Sequence, residues 1–245
     1  MSPIGIIAAM EEEICHLRAM LTEQTAAIHA GITFYSGHMP LQGGCQRPVV
    51  LAQSGIGKVN AALTTQLMID RYDVDLIVNT GSAGGLGKSQ QIGDFVVARQ
   101  LCHHDIDVTL LGVAPGELPG LPRYYDVKTE YIELLHAIAS QQHIPYHTGV
   151  IATGESFIYR PEQVAYITRH FTDVIACEME AAAVAQVAFL NQVDVVVIRS
   201  LSDIAGQTAE INFAKYLDLA SRRSSQLVRA FLSRLSSSAE SVGVE

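Results

Sequence analysis

The chain has no tryptophan, only four cysteines, and a shortage of cations: 16 Lys and Arg against 25 Asp and Glu in 245 residues, a formal net charge of -9. That balance, with no basic cluster, argues against nucleic-acid backbones and anionic membranes as partners. Cys15, Cys45, Cys102 and Cys177 are scattered and form no metal-type pair. They read as free thiols, and a reducing cytoplasm is the expected location. No apolar run approaches the ~20 residues that span a bilayer. The first strand pattern begins without a basic segment before it, so no secretory signal is expected. No Pro/Gly/Ser-rich linker divides the chain. Residues 1–235 are therefore expected to form one domain, and the polar segment 236–245 a disordered tail.

Apolar residues make up 49% of the chain, ample for a core covered on two sides. Short apolar runs alternate with segments of helical period. This pattern predicts a single α/β domain whose central sheet, mostly parallel or mixed, is flanked by helices on both sides. The most informative run is Asp194-Val-Val-Val-Ile-Arg-Ser-Leu-Ser-Asp203. Its β-branched centre fits the middle of a sheet buried on both faces. Arg199, Ser202 and Asp203 come where the run ends, and ligands of open α/β sheets sit beyond the carboxyl ends of strands. The same residues also suit a helix cap, and this strand alone does not separate the two readings.

Other predicted strand ends carry polar groups too. Residues 3–9 lead into Met10-Glu11-Glu12-Glu13, which either complements a helix macrodipole or turns a carboxylate over the strand end. The strand 48–53 ends in Ser54-Gly55-Ile56-Gly57-Lys58. This resembles a phosphate loop but lacks its spacing, and it reads as a tight turn that lets a ligand approach the backbone. Strand 75–80 opens into Gly81-Ser82-Ala83-Gly84-Gly85, small enough for Ser82 and the neighbouring N–H groups to reach a ligand. The dinucleotide fingerprint is absent there. His103-His104-Asp105-Ile106-Asp107 invites a metal, but no further cluster stands at ligand spacing, so no metal or cofactor is expected. A Pro/Gly-rich loop follows over 112–122, long enough to be functional or packed on a partner. Strand 146–152 leads to Phe157, which could stack on a flat heterocycle or simply pack in the core. Glu178 and Glu180 share a face if that segment is extended. A last helix is predicted over 212–235, with Phe213 on its apolar stripe.

Three strand ends thus carry carboxylates, near Glu13, Glu180 and Asp203. Cleaving a bond between a sugar and a leaving group needs an acid on the leaving group and a base for water on the other side. A third carboxylate that accepts sugar hydroxyls would orient the ring.

Taken in order, Met10–Glu13, Ser54–Lys58, Asn79–Gly85, His104–Thr109, Glu178–Ala181 and Ser202-Asp203 closely resemble the bacterial 5′-methylthioadenosine/S-adenosylhomocysteine nucleosidases. The likeness covers nearly the whole chain except the serine-rich tail. It implies a nucleoside-phosphorylase-like fold and hydrolysis of an N-glycosidic bond. It also implies roles: Glu13 activates water, which Ser82 and Arg199 help to hold, and Asp203 is the acid on purine N7. Glu180 would bind the ribose hydroxyls above Met179, with Ala83 and Gly84 in the small-residue turn beside the substrate. Phe157 would stack on adenine and the Ile158 backbone read its edge. Met10, Ile56 and Phe213 would line an alkylthio pocket. Members pair as homodimers, which makes Leu111 and Pro119 contributors to the neighbouring site. Two departures stand out: Leu111 replaces a common aromatic, and Gly206 stands where an acidic residue is common. The rival readings are a phosphate-dependent purine nucleoside phosphorylase, a 6-amino-6-deoxyfutalosine hydrolase, and a nucleoside-binding sensor. Phosphorolysis needs cations for its anion. The phosphorylases that resemble this chain have an Arg where it has Asn79.

Overall fold

The computed structural model describes residues 2–206 and 209–241. Its core is a ten-stranded mixed sheet. Strand β1 (Ile4–Ala8) is buried along its whole length. It lies parallel between β4 (Gln46–Gln53) and β5 (Leu76–Gly85). Continuous apolar runs suit this position, because helices cover both faces and no alternation is needed. β5 in turn pairs in parallel with β10 (Asp194–Ile204). The sheet then bends round. β10 pairs with β6 (Phe95–His103), β6 with β8 (Tyr146–Thr153), β8 with β9 (Val174–Glu178), and β9 returns to β5. Five strands therefore close into a ring, and the sheet loses an edge there. The two-residue β7 (Tyr125–Asp126) pairs with β6.

The outer side of β4 continues into β3 (Ile32–Pro40) and the edge strand β2 (Thr22–His29). β2 was not expected from the sequence. Its side chains are exposed or nearly so along the strand, so it shows no alternation of apolar and polar residues. Antiparallel pairing with β3 supplies its order instead.

Helices α1 (Glu11–Arg18), α3 (Thr129–Gln141) and α6 (Ala209–Ser241) pack together, and α2 (Lys58–Tyr72) packs on α5 (Ala181–Asn191). α4 (Pro161–His170) opens with the proline at its first position. α6 begins before residue 212 and continues past Leu235 to Ser241; residues 242–245 of the expected tail lie outside the described residues. Among the described residues no helix is long and apolar enough to cross a membrane.

The helix-cap reading of Ser202 and Asp203 is corrected by the structure: β10 runs through both to Ile204. Leu201 pairs with Ala83 and Asp203 with Gly84, so Ser202 is an extra residue in the ladder. Strict alternation would send neighbouring side chains to opposite faces. The bulge lets Ser202 and Asp203 line the same cavity. Gly206, the departure noted above, has φ 79°. Residues with a Cβ are strained in that region, so glycine suits the turn as built.

Candidate active site

The carboxyl ends of β1, β4, β5, β8, β9 and β10 converge on one cavity of about 440 Å³. Thirteen of the fifteen residues singled out from the sequence line it: Met10, Glu13, Ile56, Ser82, Ala83, Gly84, Phe157, Ile158, Met179, Glu180, Arg199, Asp203 and Phe213. Leu111 and Pro119 do not, and both are exposed. Among the described residues Ala9, Ser156, Cys177, Glu178 and Ser202 also line it; Glu178 and Ser202 were noted in the sequence without an assigned role, and the other three were not selected.

Glu13 is the third residue of α1, and its first turn brings the side chain back over the end of β1. Oε2 accepts the backbone N–H groups of Ala9 and Met10, each at 3.1 Å. Oε1 accepts the N–H and the hydroxyl of Ser82, each at 2.9 Å. The carboxylate is thus an acceptor on both oxygens and is held rigidly. Gly81 makes this possible. A Cβ at that position would lie 2.6 Å from Glu13 Oε1 and 2.8 Å from Arg199 Nη1. The glycine turn is therefore the place where two charged groups approach the backbone.

Arg199 is fully buried among carboxylates. It pairs closely with Glu178, donates to Asn79 Oδ1 at 2.6 Å, and lies 3.6 Å from Glu180 Oε2. Glu178 also accepts the Thr153 hydroxyl and the N–H groups of Glu180 (3.0 Å) and Ala181 (2.8 Å). A buried charge is tolerable only when paired and hydrogen-bonded; both terminal nitrogens of Arg199 have partners, and its Nε has none among the described residues. The sequence signal for Glu178 was its spacing of two from Glu180, which turns both carboxylates to one guanidinium. Asn79 was read as the residue that replaces a cation; the structure makes it a ligand of Arg199, anchored in turn to Ile7 O at 3.1 Å.

Glu180 accepts the Gly57 N–H at 2.9 Å. Burial, followed by the neighbouring Glu178 charge, pushes its carboxyl up to about 7, while Arg199 and that N–H pull the other way. The Gly-Ile-Gly-Lys turn therefore spends an N–H on the protein's own carboxylate. Lys58 turns its charge to Asp105 at 2.6 Å.

Asp203 receives the Ser202 hydroxyl on Oδ1 at 2.8 Å. Its Oδ2 is buried with no partner among the described residues and lies against Gly84. Burial pushes this acid up to about 6, and the Ser202 bond opposes the shift. On the apolar side, Phe157 and Phe213 meet edge-on with ring centroids 5.5 Å apart. Phe157 and Ile56 remain partly exposed at the mouth. Among the described residues no group of His, Cys, Asp and Glu could hold a metal.

A closed ring of strands with small-residue turns, an elevated acid and a pinned carboxylate facing one cavity define a member of the Phosphorylase superfamily, whose family model matches residues 3–233. Within that superfamily, a 5′-methylthioadenosine/S-adenosylhomocysteine nucleosidase of Hydrogenovibrio crunogenus is 43% identical over 235 residues, 96% of this chain and 99% of the relative. The S-adenosylhomocysteine nucleosidase of Streptococcus pyogenes, solved with 5-methylthiotubericidin, superposes with a TM-score of 0.91 at 36% identity, covering 96% of this chain and 97% of that one. The Neisseria meningitidis 5′-methylthioadenosine/S-adenosylhomocysteine nucleosidase, solved with methylthio-immucillin-A, gives 0.90 at 38% identity, covering 96% and 100%. The chain belongs to the 5′-methylthioadenosine/S-adenosylhomocysteine nucleosidase family.

Proposed function

We propose that this protein hydrolyses the N-glycosidic bond of 5′-methylthioadenosine and S-adenosylhomocysteine, releasing adenine and the 5-thio-substituted ribose. The observation that carries the reading is the charge of the cavity. Four carboxyl side chains line it, those of Glu13, Glu178, Glu180 and Asp203. Among the described lining residues Arg199 is the one cation, and it is already paired. Such a cavity repels a phosphate dianion and favours the positive charge that develops on a ribosyl ring as its base departs.

Each residue then has a task. Asp203, protonated, donates its proton to purine N7, so that adenine leaves neutral while the C1′–N9 bond breaks. Glu13 accepts a proton from water as its oxygen bonds to C1′, with Ser82 and Arg199 around that water. Glu180 accepts the ribose hydroxyls, whose arrival offsets the unfavourable burial of its charge. Met179 packs beneath the sugar. Ala83 and Gly84 let the nucleoside approach the β5 backbone, and Phe157 stacks on the base, whose edge the Ile158 backbone reads. Met10, Ile56 and Phe213 receive the alkylthio group.

Adenine release from methylthioadenosine is expected at the same rate with and without inorganic phosphate, and the sugar product is the free 5-methylthioribose. A ribose 1-phosphate product would replace hydrolysis by phosphorolysis. Preference for 6-amino-6-deoxyfutalosine over the thio-nucleosides would move the substrate to the second reading.

The working unit is a homodimer. Leu110 and Leu111 are exposed at 100% and 68%, and Val59, Phe189 and Leu190 add further exposed apolar surface on α2 and α5. Exposed apolar groups of this size mark an interface. Leu111 and Pro119 would then close the partner's cavity mouth, and the cytoplasm is the proposed location. Sedimentation is expected to give twice the chain mass, and L111D is expected to weaken association and raise KM together. A fully active monomer would contradict this.

A further inference from the structure

Three chain segments outside the reacting groups are tied into a closed loop of hydrogen bonds. Lys58 Nζ donates to Asp105 Oδ1 at 2.6 Å. Asp105 Oδ2 accepts the Glu155 N–H at 2.9 Å. Glu155 Oε1 accepts the Lys58 N–H at 2.8 Å and so returns to the start. The members follow β4, β6 and β8, and neighbours in the loop stand 47, 50 and 97 residues apart in sequence. Local structure does not bring such segments together, so the loop is a tertiary fastening.

Its position gives it a task. Gly57, one residue before Lys58, donates its N–H to Glu180. Ile56, one residue earlier, lines the cavity, as do Phe157 and Ile158 just beyond Glu155. The fastening therefore joins the turn that hydrogen-bonds the ribose-facing carboxylate to the loop that carries the base stacker. Gly57 is held closely: its φ is 98°, and a Cβ there would lie 2.7 Å from Glu155 Oε2. Burial would raise the Asp105 carboxyl, but the bonds from Lys58 and Glu155 outweigh it, and the group is held below its ordinary value. Asp105 is thus an ionised acceptor for both donors.

We propose that Asp105 and Lys58 are positioning residues that set the spacing between the ribose subsite at Glu180 and the adenine subsite at Phe157. The inference rests on the nucleosidase reading above. Exposed ion pairs contribute little to stability. This pair is closed through two backbone N–H groups, and its effect is orientation rather than strength. A ligand that bridges both subsites feels the spacing; a ligand that fills one does not.

The test compares D105N and K58M with the wild-type full-length enzyme. Each variant is expected to raise KM for methylthioadenosine about tenfold with kcat within about twofold, because neither residue touches the reacting atoms. Inhibition by adenine alone, which fills only the base subsite, is expected to stay within about twofold. The double variant should match the single ones, since both break one loop. Unchanged KM in the single variants overturns the proposal, and so does equal weakening of adenine and nucleoside. A kcat loss without a KM change also overturns it. A wild-type enzyme that releases no adenine would instead contradict the nucleosidase reading itself.

Discussion

Replacing Asp203 by Asn is expected to lower kcat for methylthioadenosine by about 10³-fold while nucleoside binding survives within a few-fold. Adenine is a poor leaving group until it gains a proton, and Asp203 is the acid proposed on the base side of the cavity, where burial pushes its carboxyl up to about 6. Asn keeps the shape and the bond from Ser202 but has no acidic proton to transfer. The pH dependence carries the same signature. Asp203 titrates near 6 in the folded protein because burial penalises its charge. Wild-type kcat/KM should therefore decline as pH rises through about 6, and that limb should be missing in D203N. A variant with near wild-type turnover, or an unchanged alkaline limb, would remove Asp203 from the chemistry.

The same substitution is expected to stabilise the fold at neutral pH. In the unfolded chain Asp203 ionises near its ordinary value of 3.8, and in the native state near 6. The folded state thus holds its proton longer, so stability falls as pH climbs between these values and the loss is complete above the upper one. Converted at the usual rate, the full penalty is about 3 kcal/mol. D203N should therefore melt higher than wild type at pH 8 and show little advantage at pH 4. Function and stability then move in opposite directions at one residue, as expected where burial strain serves catalysis.

Replacing Glu13 by Gln is the second large effect. Glu13 accepts four donors, from Ala9, Met10 and both groups of Ser82. A carboxamide has one acceptor oxygen. Its NH₂ must face either the Ser82 pair or the two N–H groups at the start of α1, donor against donor. E13Q therefore loses the base and disturbs its mounting. Turnover should fall about 10³-fold with substrate still bound. Unlike D203N, this variant gains no stability, since unpaired buried donors are unfavourable. Steady-state rates near wild type would contradict the assignment.

These two residues also indicate how far the chain could be read in advance. A glutamate near residue 13 was visible because three glutamates follow an apolar strand end, and Asp203 because a β-branched run stops at it; which glutamate, and both roles, came from the family resemblance. The bulge at Ser202 was not visible. It arises from the pairing of β10 with β5, a long-range register that local residues do not encode. β2 was missed because its exposed side chains carry no periodic signal, and the strand borrows its order from β3. Glu178 was noted only for its spacing. Its work as the partner of Arg199 and as the acceptor for the start of α5 depends on β9 and β10 reaching one cavity. The Lys58–Asp105–Glu155 loop has the same origin. Lys58 stood in a broken phosphate loop and Asp105 in a failed metal motif, Glu155 had no reading of its own, and their meaning appears only when the three strand ends are adjacent.

A crystal structure of the enzyme with an uncleavable 5′-methylthio nucleoside tests the account most directly. Asp203 Oδ2 should lie within hydrogen-bond reach of purine N7, with Glu13 holding a water on the opposite face of the ribose at C1′ and Glu180 on the ribose hydroxyls. A ligand bound with Asp203 and Glu13 on the same side of the sugar, or with the base away from Asp203, would contradict it.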